Sequence, residues 1–450
     1  MYARRRRLPT KPAAPPWKWA LALLLAALLG GGGWLTVTRP RNPEVQAGAT
    51  ARTAAQDWAT LRGFGPRPVG TPAHDAAAEW LAAQFGALGY RVTRQPVALE
   101  RPFDGGGSVT VGRLNVPAAA LYGAGGGEQT GRLVRVPPAA STEVLEALGL
   151  RAQIALATCT DWDGNAVTWG DLADRATRAG ALGLVMVQDC AAVPLRRVPA
   201  TSLPLVQIGV DDGQQVLARA GQTATVRSNV EFRPVTGHNL IAARVGAAPQ
   251  IVFGAHLDTV NGSPGANDNA SGALAVLAAA RQAAGTPLAE RAWFVLFDAE
   301  EDGLHGSRAF ARNPAYPVRE TRAMLNLDMV GVAAEPLGLA GDAEVLALAK
   351  ILRPDLRTFK DGDRPGRVTF GRTRDLAGSS DHVPFMRWGV RTAFFHRGLD
   401  DHYHAAGDTT LNPALVQDSA DFALQLARRV LAAPWTPREV CGITGRDCRE

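Results

Sequence analysis

Five apolar residues in the stretch WFVLFDAEEDGLHGS (residues 293–307) run directly into Asp298, Glu300, Glu301 and Asp302. Crowding four acids at the end of a buried strand costs desolvation and mutual repulsion, and so calls for a compensating cation. Other groups of the same kind close other apolar runs. His256 and Asp258 end IVFGAHLD, Asp268 lies in GANDNASG, Asp328 ends AMLNLD, and His404 lies in DDHYHAAGDT. Taken singly, each has an ordinary reading. Asp268 ahead of NASGALAVL is a good helix N-cap, His404 a solvated loop imidazole, and the acids are loop residues beyond strands. Gathered at strand ends, two imidazoles and several carboxylates form a ligand set suited to zinc or another divalent ion. A bound metal is the simplest answer to so many acids near one pocket. His402 competes with His404 as a ligand because it also flanks Tyr403. No GxSxG stands at a strand-to-helix turn, so nothing supports a serine nucleophile.

The elements that must position these groups read as α/β. QIVFGAHLD, RAWFVLFDAE, RAMLNLDMVG and VRTAFFH are runs of buried-strand type, separated by helical stretches such as SGALAVLAAARQAA. Such alternation predicts a mixed, mostly parallel sheet with helices on both faces. Ligands gather beyond the carboxyl ends of the strands in such sheets, where the polar residues sit. Upstream, GTPAHDAAAEWLAAQFGALGY has helical spacing with Gly89 as its C-cap. YRVTRQPVAL and SVTVGRLNV follow as β-rich segments, and YGAGGGEQTG is read as a loop. That glycine run fails the dinucleotide fingerprint because Glu128 takes the place of the last glycine. Residues 133–226 read as a small α/β unit with no polar constellation of catalytic type.

The 450-residue chain suits two or three domains. Its net charge of +6 is concentrated at the N-terminus, where eight Lys and Arg residues precede Glu44; removing them leaves 40 basic residues against 42 acidic. No basic stripe remains to neutralise phosphates, which argues against nucleic-acid partners. Those cations flank an uncharged run at residues 19–38, and twenty helical residues rise about 30 Å, the thickness of a bilayer core. Six cations before the run and two after it favour a cytoplasmic N-terminus and an exported body. The rival is a cleaved signal peptide and a secreted protein, with AGA at residues 47–49 as the cleavage site. That site lies far from the Leu-rich stretch, which favours a membrane anchor. Cys159, Cys190, Cys441 and Cys448 are the only cysteines. In an oxidising compartment they are expected to pair as Cys441–Cys448 and Cys159–Cys190, four unpaired thiols being the alternative.

Two resemblances then become visible. RAGALGLVMV and SLPLVQIGVDDGQQVL resemble the protease-associated (PA) domain, a non-catalytic insert of exported peptidases. GAHLDTV, GANDNASG, DAEEDGLHGS, NLDMVG, SSDHVPF and YHAAGDT together resemble the exported two-zinc aminopeptidases of clan MH, whose relatives include glutamate carboxypeptidases. The likeness spans residues 50–434. Asp298 departs from the usual Gly, and Ala405 from the usual Thr or Ser. The resemblance implies two zinc ions, one held by His256 and Asp328, the other by Glu301 and His404, with Asp268 bridging. It implies Glu300 as general base, Asp258 as orienter of His256, and Tyr403 as donor to a developing oxyanion. His74, His238, His305 and His396 are read as structural or solvated, and His382 as a support residue. The implied substrates are peptides cut at the N-terminus. A carboxypeptidase or dipeptidase of the same family is the near alternative; a non-catalytic receptor-like relative is the distant one. The implied layout is a basic tail (1–18), an anchor (19–38), a linker (39–49), a first peptidase segment (50–124), the PA insert (125–228), the remaining peptidase domain (229–435) and a tail (436–450).

Overall fold

A computed structural model describes residues 53–120, 125–158, 169–187, 203–316, 318–360 and 380–437. The expected membrane segment and all four cysteines lie outside the described residues. Among the described residues, no helix is long and apolar enough to cross a membrane.

The chain opens with α1 (Ala54–Arg62) and α2 (Pro72–Ala87), followed by β1 (Arg91–Val111), β2 (Leu114–Ala120) and β3 (Gly127–Arg135). Then come α3 (Thr142–Ala147), β4 (Ile154–Thr158), α4 (Trp169–Arg178), β5 (Gly183–Val187), β6 (Leu205–Ile208), α5 (Val210–Leu217) and β7 (Thr223–Ala243). The remainder is β8 (Ile251–His256), α6 (Gly272–Ala283), β9 (Ala292–Phe297), α7 (His305–Arg312), β10 (Ala323–Leu327), β11 (Gly338–Gly341), α8 (Ala343–Leu352), β12 (Arg357–Lys360), α9 (His382–Met386), β13 (Thr392–His396) and α10 (Pro413–Ala432).

The site-bearing sheet runs β7-β9-β8-β10-β13-β11-β12. Its centre, β9-β8-β10-β13, is parallel, while β7 and β11 pair antiparallel. Within these continuous apolar runs the side chains alternate between two cores. Phe253, Phe294, Leu296, Leu325 and Phe395 pack with α1, α2, α6, α8 and α10. Val252, Val295, Phe297 and Met324 pack with Phe310 of α7 and Phe385 of α9. This is the period-2 geometry of a sheet covered on both faces. Almost every residue of α6 is buried, and six alanines between Ala273 and Ala283 allow its close approach to the strands. Asp57 of α1 and Arg281 of α6 form a buried ion pair.

The second half of the molecule hangs from two 21-residue strands, β1 and β7, which pair antiparallel along their whole length. The pairings β1-β2-β6-β5-β4-β3-β7 and β7-β1 close a ring. Three sequence expectations differ here. The RVTRQPVAL of YRVTRQPVAL and the SVTV of SVTVGRLNV lie in one strand, β1, with an irregularity at Asp104–Gly107, while LNV opens β2 across a turn. Glycine is required there because a Cβ on Gly107 would collide with the Arg227 carbonyl. Gly127–Gly131, expected as loop, already pairs with β7. The boundary expected between residues 228 and 229 falls inside β7.

Candidate metal centre

The parallel strands deliver the polar groups to one end. His256 is the last residue of β8 and pairs with Phe297 at the end of β9, so Asp298 to Asp302 emerge beside it. In β10, Asn326 pairs with Gly254, and continuing that register sets Asp328 next to His256. Asp268 enters from the irregular helical turn Ala266–Ser271 and His404 from the loop after β13. The N-cap reading of Asp268 is replaced. Asn269 Oδ1 accepts the Gly272 N–H at 2.9 Å, leaving the Asp268 carboxylate to face two imidazoles.

His256 Nε2 lies 3.1 Å from Asp268 Oδ1 and 3.5 Å from Asp328 Oδ1. His404 Nε2 lies 2.9 Å from Asp268 Oδ2 and 3.1 Å from Glu301 Oε2. The donor atoms of His256, Asp268 and Asp328 therefore converge within 4.8 Å of one another, as do those of Asp268, Glu301 and His404. Asp268 belongs to both groups. Glu300 joins His256 and Glu301 in a third. Tyr403 stacks on the His404 ring with centroids 3.7 Å apart. His402 is exposed and its backbone N–H donates to Asp400, so it is not among the converging groups.

The electrostatics fit a cation. A carbonyl only accepts, so His256 Nδ1, 3.1 Å from the Asp258 carbonyl, carries a proton. A neutral His256 would then aim its Nε2 lone pair at two carboxylates. Glu301 Oε1 and Asp328 Oδ1 are buried with no hydrogen-bond partner among the described residues. Burial opposes charge on His256 and His404, yet the surrounding carboxylates hold both raised, His404 to about 9. Burial, reinforced by Glu301, Asp381 and Asp328, pushes Glu300 well above the usual carboxylate range; burial and Asp268 raise Glu301. Asp268 is held low against its burial by the hydrogen bonds from His256 and His404.

Outer residues fix these groups. Asp258 meets the His256 imidazole through its carbonyl, while its carboxylate stands 3.7 Å from Nδ1. That carboxylate instead accepts the N–H groups of Glu300 at 3.1 Å and Glu301 at 3.2 Å. Asp408 grips the facing turn in the same way, accepting the N–H groups of Asn267 at 2.8 Å and Asp268 at 3.0 Å. Ser380 donates to Asp328 Oδ2 at 2.7 Å, and the His396 ring donates to the Asp328 carbonyl at 2.8 Å. His382 is buried and stacks on Phe394. His74 is buried against Asp298, while His238 and His305 are half-buried. Ala299, Met329 and His404 hold left-handed φ angles of 54°, 55° and 58°, and such backbone concentrates at functional sites. Sequence reasoning missed Asp408 and Ser380, although both lie in motifs it singled out.

Residues 239–427 match the sequence profile of peptidase family M28. This segment belongs to that family. The M28 segment carries every converging group described above. Among similar curated proteins, the probable lipoprotein aminopeptidase LpqL of Mycobacterium tuberculosis is 30% identical over 59% of this chain and 55% of its own length. Aminopeptidase YwaD of Bacillus subtilis is 28% identical over 54% of this chain and 55% of its own. The chain thus spans about half the length of the curated relatives it matches. Among solved structures, an aminopeptidase from an Aneurinibacillus strain covers 88% of this chain and 99% of its own, at 25% identity and a TM-score of 0.61. The fold is also that of a zinc aminopeptidase from Bacillus subtilis, with a TM-score of 0.65 at 23% identity over 83% of this chain and 94% of its own.

Proposed function

We propose that this protein is a zinc-dependent aminopeptidase binding two metal ions, with His256 and Asp328 on one, Glu301 and His404 on the other, and Asp268 between them. The observation that carries this reading is the double membership of Asp268, whose two oxygens face His256 and His404 separately. Zinc bound there supplies a Lewis acid that activates water and polarises the scissile carbonyl. Glu300 takes a proton from the attacking water and passes it to the departing amine, a role that needs a carboxylate close to the donor groups. The Asp258 carboxylate aids this by holding the Glu300 and Glu301 backbone in one turn. Tyr403, beside His404, donates to the oxyanion. The ring closed by β1 to β7 serves as a PA-type insert, a reading that rests on the motifs at residues 178–187 and 202–217. The six-to-two asymmetry of cations around residues 19–38 supports an exported, membrane-anchored body.

Zinc analysis of the purified chain, with hydrolysis of free and N-acetylated peptides, tests the proposal. Two zinc ions per chain and cleavage confined to free N-termini are expected. One ion in an active enzyme sinks the two-metal reading, and cleavage of blocked peptides from the other end favours a carboxypeptidase.

A further inference from the structure

The loop joining His256 to Asp268 is wrapped around a single buried guanidinium. Arg67, which is 1% exposed, donates from Nε to the Leu257 carbonyl at 3.2 Å, from Nη1 to Pro264 at 2.7 Å and Gly65 at 3.3 Å, and from Nη2 to Gly265 at 3.0 Å. Its backbone closes the grip. The Arg67 N–H donates to Thr259 Oγ1 at 2.9 Å, and the Thr259 N–H donates to the Arg67 carbonyl at 3.3 Å. Each of these guanidinium bonds ends on a backbone carbonyl and none on a carboxylate. Desolvating a guanidinium costs several kcal/mol, and its charge-assisted bonds to carbonyls offset part of that. The fields of Asp408, Asp258 and Asp268 act on this charge from nearby.

The loop is built to receive it. Gly265 has φ +60°, and a Cβ there would collide with Thr259 and the Asp268 carbonyl and crowd Arg67 Nη2. The held carbonyls are Leu257, next to His256, and Pro264 and Gly265, at the entrance to the turn bearing Asp268. Arg67 itself lies 172 positions before the M28 segment begins at residue 239.

We propose that Arg67 is a positioning residue of the metal centre, fixing the loop at residues 257–265 so that His256 and Asp268 aim at a common point. The inference rests on the metal-centre reading above. It makes the segment between α1 and α2 a working part of the site. Lysine cannot substitute, because one compact ammonium lacks the planar fork that reaches separate carbonyls.

The test uses the full chain as wild type, Arg67→Lys and Thr259→Val, the last removing only the hydroxyl that accepts the Arg67 N–H. Hydrogen exchange of residues 257–268 is measured on metal-free protein, zinc affinity by chelator competition, and ligand geometry by the visible spectrum after cobalt(II) substitution. Arg67→Lys is expected to speed exchange in residues 257–268 while leaving α10 unchanged, to weaken zinc binding by about 10–100-fold, and to shift the cobalt bands. Thr259→Val should act in the same direction, less strongly. A lysine variant with wild-type zinc affinity and cobalt spectrum, whatever its melting temperature, overturns the proposal. If Arg67→Lys does not fold, unchanged exchange and zinc affinity in Thr259→Val overturn it instead. A wild-type chain that binds no zinc refutes the functional reading, while exchange without metal still decides whether Arg67 holds the loop.

Discussion

His74 Nε2 and Asp298 Oδ1 stand 2.9 Å apart, with both side chains buried. The pair joins the first turn of α2 to the residue that leads from β9 into the adjacent glutamates. Asp298, which replaces the usual Gly of the resembling family, also accepts the His238 N–H at 2.5 Å and the Ala299 N–H at 2.9 Å. Gly237 makes room for it, since a Cβ there would run into the carboxylate.

A pH dependence follows from this pair. Burial alone would lower the His74 pKa, but the field and hydrogen bond of Asp298, the field of Asp258 and a hydrogen bond to Asp75 raise it from 6.5 to about 9. A raised folded-state pKa means the stabilisation is complete below pH 6.5 and lost as pH climbs through about 9. A shift of this size corresponds to about 3 kcal/mol. Denaturant unfolding of wild type and His74→Gln should show an advantage for wild type at pH 6 that has largely gone by pH 9.5. An advantage constant over that range means His74 is not charged in the folded protein.

Asp408 yields a second expectation. Its carboxylate takes two consecutive N–H groups on the turn bearing Asp268. Asn in its place keeps one acceptor and turns a donor toward the other N–H. Asp408→Asn should therefore weaken zinc binding by about 10–100-fold and cost about 1–3 kcal/mol of stability. Competitive zinc titration and thermal melting check both, and unchanged zinc affinity means the turn is held by other contacts.

The site was legible because its motifs sit at the ends of uniformly apolar strands. QIVFGAH, WFVLF, AMLNL and TAFFH all form parallel strands, so chemistry written at their ends had to converge. His256, Glu301 and Asp328 were readable in this way, whereas Asp268, in a helical turn, and His404, in a loop, stood out only through their motifs. What holds them was less legible. Arg67 makes its bonds to backbone carbonyls about 190 positions away, and no pattern of residue types records such contacts. The role of Asp258 depends on which of its oxygens points where, a matter of backbone course. The long β1 was hidden by its glycines, which read as a break but accommodate an irregular register.

Metal removal should be visible in stability. Without cations, the buried carboxylates of Asp268, Glu300, Glu301 and Asp328 share one end of the sheet with no full compensation. Zinc that binds only the folded chain adds about 2.7 kcal/mol at a hundredfold excess over its Kd. Chelation should lower the melting temperature, and zinc should restore it in a concentration-dependent way. A melting temperature indifferent to both chelator and zinc removes the metal from the fold's energetics.

The adjacent glutamates should fail differently. Glu301 Oε2 lies 3.1 Å from His404 Nε2, placing its carboxylate in the group with Asp268 and His404. Glu300 instead shares a cluster with His256 and lies in the fields of Asp328 and Asp381. One backbone turn, gripped by Asp258, thus sends neighbouring side chains to different places. Glu300→Gln keeps shape and removes the proton acceptor, so kcat should fall by about 10²–10⁴ with zinc retained. Glu301→Gln exchanges an anionic ligand for a neutral one, so one zinc should be weakened or lost and thermal stability should fall with it. Were both merely solvated loop acids, the two variants would show small and similar effects, but Glu300 is 8% exposed and Glu301 has a buried oxygen without a hydrogen-bond partner among the described residues. Zinc stoichiometry and kcat for both variants decide the matter. Loss of metal from Glu300→Gln with retention in Glu301→Gln would reverse the two assignments.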